Sequence, residues 1–173
     1  IRRNQSCECS RGEAHPCAVL LAQEDDSFWS DWLKTIDGTL QDRALISSED
    51  TSLFKQARSA AEALEQISRF YRVFHGAQLA GEQTELLLHC PLPAATVAEL
   101  NQRFDLLVDE GNISQGESCD PNGILRPCLR FQLDRRKVGL LYQLIDALNG
   151  LPVELPPSIE QPGQRLCSLP PTP

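Results

Sequence analysis

Apolar and polar positions along this chain change rhythm several times. The run CAVLLA at 17–22 is continuously apolar, the pattern of a strand covered on both faces. Trp29, Trp32, Leu33, Ile36 and Leu40 then recur every three or four residues, which predicts an amphipathic helix capped by Asp26 or Ser27. Residues 52–55 predict a short second strand. Leu64, Ile67, Tyr71 and Phe74 place a longer helix over about 59–75. Strand, helix, strand, helix in that order is the grammar of a parallel sheet.

From Gly76 the pattern differs. Residues 85–90 (ELLLHC) read as a strand, ended by Pro91 and Pro93, which also start a helix marked by Val97, Leu100, Phe104 and Leu107. A weak strand near Ile113 precedes the turn signal Asp120-Pro121-Asn122-Gly123. The strand that follows alternates most regularly. Leu125, Pro127, Leu129, Phe131 and Leu133 are expected to face a core, with Arg126, Cys128, Arg130 and Gln132 on the wet face. A last helix carries Val138, Leu141, Tyr142, Ile145 and Leu148. The second half thus reads as a small α+β module in the order strand-helix-strand-strand-helix. The expected division is a linker or end at 1–16, part of a parallel-sheet domain at 17–75, the α+β module at 76–150 and a proline-rich tail at 151–173. That tail holds 7 of the chain's 12 prolines.

Composition narrows the function. Of 173 residues 41% are hydrophobic and 23% charged, enough to bury a core. Acidic residues outnumber basic ones 24 to 16, and a net charge of -8 argues against a nucleic-acid partner. No apolar run approaches the roughly 20 residues needed to cross a bilayer, and no signal-like segment opens the chain. A cytoplasmic protein without a membrane partner is expected. The chain begins at Ile1 and contains no methionine, which suggests processing or a start inside a longer protein. Seven cysteines are an odd number for intrachain pairing, so reduced thiols are the expectation.

The chain lacks the usual nucleotide loops. None of its 10 glycines adjoins another, so no Walker-type or dinucleotide-type phosphate loop can form. There is no Gly-x-Ser-x-Gly elbow and no paired-histidine metal motif. Cys7, Cys9, His15 and Cys17 offer four soft ligands, but the single residue between Cys7 and Cys9 does not suit zinc. No metal and no cofactor is expected. Tyr71, Arg72 and His75 fall within one and a half turns of the expected long helix. Such a set can bind an anion and move protons; equally, Tyr71 packs, Arg72 reaches solvent and His75 closes the helix C-terminus. After the N-cap residue Asp134, Arg135, Arg136 and Lys137 put three cations where a helix prefers negative charge. They are either an anion or partner site or ordinary partners of nearby acids such as Asp105, Asp109 and Glu110.

Several segments read in order resemble the longer bacterial members of the LOG (Lonely Guy) family, Rossmann-like proteins once labelled "possible lysine decarboxylase". They are GEAHPCAVLL, FWSDWL, RALISSEDTSLF, RFYRVFH and FQLDRRKVGLLYQLIDALN, and the resemblance covers roughly residues 12–149. It implies an α/β fold: the C-terminal part of a Rossmann-like parallel sheet, followed by the small α+β module. It also implies a homo-oligomer acting, in its complete form, on nucleoside 5'-monophosphates by hydrolysing the N-glycosidic bond. The family does this with a Pro-Gly-Gly-x-Gly-Thr-x-x-Glu motif that lies just before the strand matching 17–22. This sequence does not contain it, so no catalytic residue is assigned and the chain is expected to be catalytically incomplete. The alternative expectation is a non-enzymatic interaction or regulatory module on the same scaffold.

Overall fold

The computed structural model describes residues 19–22, as backbone, and 27–153. Two sheets organise it. Strand β1 (Val19–Ala22) pairs in parallel with β2 (Phe54–Ala57), in a register that sets Val19 against Phe54 and Ala22 against Ala57. Between them run helix α1 (Phe28–Thr35), a wider π-type turn (Ile36–Gln41) and a 3-10 turn (Ser48–Leu53). The last is held by a reciprocal capping box between Ser47 and Asp50.

Helix α2 (Ala60–Phe70) starts at Ser59, whose hydroxyl accepts from the Glu62 amide. It ends earlier than its periodicity suggests. Residues Phe74–Ala80 form strand β3, so the helix expected over 59–75 is corrected to eleven residues, and His75 does not close it. Val73 and Phe74 are fully buried under a second sheet's core, and that burial outweighs the local helical pattern. Leu64 and Ile67, expected to face a core, are 65% and 40% exposed, because no described element covers that side of α2.

The second sheet is antiparallel throughout, with strand order β3, β4 (Gln83–Leu88), β6 (Leu125–Phe131), β5 (Ser114–Cys119). β3 therefore adds a strand absent from the expected strand-helix-strand-strand-helix order. Helix α3 (Ala94–Arg103) follows Pro93, and helix α4 (Val138–Gly150) follows a 3-10 turn at Arg135–Lys137. One sheet face, with Phe74, Leu86, Leu88, Leu129 and Phe131, forms a single core with Leu100, Phe104, Leu144, Ile145 and Leu148 from the helix side. Phe70 of α2 joins the same core.

Pro127 is tolerated in this sheet because β4 pairs with β6 only from Cys128 onwards, leaving the Pro127 position with β5 as its one neighbour. The other face of β6 is not wet as expected. Cys128 is fully buried and Arg126 nearly so. Leu87 lies opposite Cys128, and the long flanking side chains of Arg126 and Arg130 run over this surface into ion pairs. Among the described residues no helix is long and apolar enough to cross a membrane. Among the described residues Cys90 and Cys128 are free and buried, and Cys119 lies half-buried at the end of an edge strand.

Candidate functional site

The most concentrated ionic chemistry lies on the polar face of the antiparallel sheet. Phe74 pairs with Leu88 and Gly76 with Leu87, so His75 is the extra residue of a β-bulge. A bulge breaks the alternation of side chains and re-aims one of them. Here it sets the His75 ring edge-on to that of His89, with centroids 5.0 Å apart, and brings His75 Nε2 to 3.6 Å from Asp120 Oδ2.

Asp120 anchors this cluster. Its carboxylate has no solvent exposure; Oδ1 accepts from the amides of Asn122 and Ile124, both at 2.9 Å, and Oδ2 from Arg126 Nε at 2.7 Å. Burial alone would raise its pKa, but the Ile124 amide, the Arg126 guanidinium and the Asn122 amide outweigh it and hold the carboxyl below its ordinary value. The same residue thereby locks the β5–β6 hairpin, where Gly123 takes φ 77. His89 is held below the ordinary histidine value, first by burial and then by the Arg126 charge, against a weaker opposing bond to the Tyr71 backbone.

A second cluster lies alongside. Arg130 Nε donates to Glu85 Oε1 at 2.6 Å, and Glu85 Oε2 accepts from Gln78 Nε2 and the Ser118 hydroxyl. The Glu85 carboxyl is only 4% exposed. Burial opposes its charge, yet Gln78, Ser118 and Arg130 together lower its pKa. The Arg130 guanidinium lies directly over Gly116, where a Cβ would stand 2.7 Å from Nη1.

The six residues singled out in the sequence do not converge. Tyr71 packs between Phe70 and Phe74, with ring centroids at 5.0 and 6.0 Å. Arg72 turns to the C-terminal end of α4, where its guanidinium donates to the carbonyls of Asn149, Leu151 and Val153. That commitment corrects the expectation that Arg72 reaches solvent. His75 alone of the three joins the polar face. At the other end of α4, Arg136 pairs with its own cap residue Asp134 at 2.9 Å, and Arg135 is exposed. Lys137 lies near enough to Glu49 to help lower that carboxyl's pKa, after the larger effect of a backbone hydrogen bond. The Cys7, Cys9, His15 and Cys17 set falls outside the described residues.

The sequence offered little warning of Asp120, Arg126, Glu85 and His89 as a group. Asp120 was legible only as a turn residue, and the others are brought together by strand register.

A cleft of about 450 Å³ lies between β2, α2 and α4, lined by Phe54, Lys55, Gln66, Arg69, Asp146 and Asn149 among others. Lys55 Nζ and Asp146 Oδ2 form an ion pair across it. Among the described residues no group of three or more His, Cys, Asp or Glu side chains is arranged to hold a metal ion. No protein-family model, no curated protein and no solved structure matches the chain.

Proposed function

We propose that this chain is the C-terminal portion of a LOG-like nucleoside 5'-monophosphate phosphoribohydrolase, lacking the catalytic motif and therefore inactive alone. The observation that carries this reading is the β1–β2 pair: two short strands in parallel register, joined through α1 and followed by α2. Parallel pairs are found almost only inside larger sheets with helices on both faces. The helices beside this pair leave Phe28, Trp32, Leu64 and Ile67 exposed, as they would where further strands and helices of a longer chain belong.

The proposed complete protein is a homo-oligomer in the cytoplasm, and the nucleotide is its substrate. The coding DNA tests the reading. An in-frame Pro-Gly-Gly-x-Gly-Thr-x-x-Glu upstream of the Ile1 codon supports it, and an upstream frame without that motif sinks it.

One observation favours a second reading for the antiparallel part. That sheet packs with α3 and α4 into one core, which Phe70 of α2 joins, and carries a paired polar face, which suits an interaction or regulatory module.

A further inference from the structure

Two of the chain's five asparagines, Asn122 and Asn149, are followed by glycine. Asparagine is a thermolabile side chain, and a following glycine makes it especially so. The glycine main-chain nitrogen loses its proton and attacks the asparagine Cγ. Ammonia leaves, and a five-membered succinimide closes; glycine has no Cβ to obstruct the ring. Water then opens that ring at one of its two carbonyls, giving aspartate or the isomer whose main chain runs through the former side chain. The reaction needs water and a side chain free to swing onto the next nitrogen, with no oxidant, reductant or enzyme.

Tertiary structure separates the two positions. Asn149 is only 4% exposed; its Oδ1 accepts from the Val73 and Phe74 amides at 2.7 and 3.1 Å, and its Nδ2 donates to the Phe70 carbonyl. Turning that amide strips three buried groups of their partners, so Asn149 is held out of reaction. Asn122 is exposed in the loop between β5 and β6, and its side chain makes no hydrogen bond with any described residue. Only the main chain around it is restrained. The Asn122 amide donates to Asp120 Oδ1 at 2.9 Å, and the Gly123 N–H, the attacking group, donates to the Asp120 carbonyl at 2.8 Å. Asp120 Oδ1 also holds the Ile124 amide at 2.9 Å, so a single residue grips the loop on both sides of the reacting bond.

We propose that Asn122 is a site of spontaneous deamidation and isomerisation, and that the grip of Asp120 on the loop sets its rate. Both products act on the polar face of the sheet. Aspartate adds a carboxylate two residues from Asp120. The isomer inserts an extra main-chain carbon before Gly123 and breaks the spacing by which Asp120 Oδ1 reaches both amides. Each loosens the loop that presents Asp120 Oδ2 to Arg126 Nε. The site goes beyond the proposed function and is independent of it.

The test incubates the full chain at mildly alkaline pH and physiological temperature, in buffer and in urea, and maps digests by mass spectrometry over time. In buffer, aspartate and its isomer are expected at residue 122 and not at residue 149. In urea both positions react, and residue 122 does so roughly tenfold faster than in the folded chain, the effect of freeing a committed N–H. Asp120→Ala is expected to bring the rate in buffer close to the urea rate while residue 149 stays intact, which reports in the same digest that the variant is folded. No product at residue 122 in buffer, over a period in which the urea sample converts, overturns the proposal. Conversion of residue 149 in buffer as fast as residue 122 overturns it too, as does a folded Asp120→Ala chain that reacts no faster. Should that variant convert residue 149 and thus be unfolded, the original chain decides: equal rates at residue 122 in buffer and urea overturn the role of Asp120.

Discussion

Asn149 Oδ1 accepts hydrogen bonds from the Val73 and Phe74 amides at 2.7 and 3.1 Å, while Arg72 donates to the Asn149 main-chain carbonyl at 2.7 Å. One end of α4 is thereby fastened to the junction where α2 gives way to β3. The Asn149 side chain is buried and also donates to the Phe70 carbonyl, so the helix C-terminus and the strand entry satisfy each other's backbone groups. Asn149→Ala leaves two buried amides and a carbonyl without partners, and a loss of about 2–4 kcal/mol is expected in urea unfolding. Arg72→Met keeps the stem but removes the bonds to three carbonyls, and about 1–3 kcal/mol should go.

Acid should unfold the antiparallel sheet through Asp120 and Glu85. Both carboxyls have folded pKa values below their ordinary ones, so they contribute stability above the ordinary carboxylate range, near pH 4. That contribution disappears as pH falls through and below that range. Urea midpoints measured from pH 7 down to pH 3 should drop steeply at the acid end, and Asp120→Asn with Glu85→Gln should flatten the drop. An equally steep drop in the double variant would assign acid sensitivity elsewhere.

His89 acts over a different window. Its folded pKa is lowered, so the unfolded chain binds a proton more readily and stability declines as pH falls below the ordinary histidine value of about 6.5. Beyond burial, the Arg126 charge disfavours its protonation, against a weaker opposing hydrogen bond from the Tyr71 backbone. His89→Gln should remove part of the stability slope between about pH 6.5 and 5 while leaving the carboxylate transition in place.

Two glycines should respond unequally to alanine. A Cβ at Gly139 would stand 2.4 Å from the main-chain carbon and oxygen of Glu49 and 2.7 Å from the Asp50 amide nitrogen. The 3-10 turn would have to move off α4, and destabilisation of about 1–3 kcal/mol is expected despite alanine's better helix propensity. At Gly116 the obstacle is the guanidinium end of Arg130, which can swing aside. Gly116→Ala should cost less than Gly139→Ala in matched thermal melts, with a weakened Glu85–Arg130 pair as its main consequence.

The cations at the start of α4 should prove dispensable for folding. Arg136 is 85% exposed and is paired with the adjacent Asp134, an arrangement that solvent and salt screen strongly. Arg135→Gln with Arg136→Gln is expected to leave the melting temperature unchanged at physiological salt. A marked loss would show that the cluster holds α4 in place.

Much of the local structure was determined by the sequence alone. The apolar run at 17–22, the Pro91 and Pro93 boundary, the Asp120–Gly123 turn, the alternation through 125–131 and the Asp134 cap each announce an element through chain-local sterics or hydrogen bonding, and each described one is found there. Residues 71–80 were decided only by tertiary structure. Their apolar spacing suits a helix as well as a strand, and the deep burial of Val73 and Phe74, with a bulge at His75, settles the matter in favour of β3. The same holds for the polar face. Nothing local distinguishes Arg126 from a solvent-facing residue of an alternating strand. Its burial follows from the β5–β6 register, which brings the Asp120 carboxylate within hydrogen-bonding reach across the hairpin. Local pattern fixes what a segment prefers; which charges become neighbours depends on pairings between segments far apart in the chain, and those exist only once the sheet has assembled.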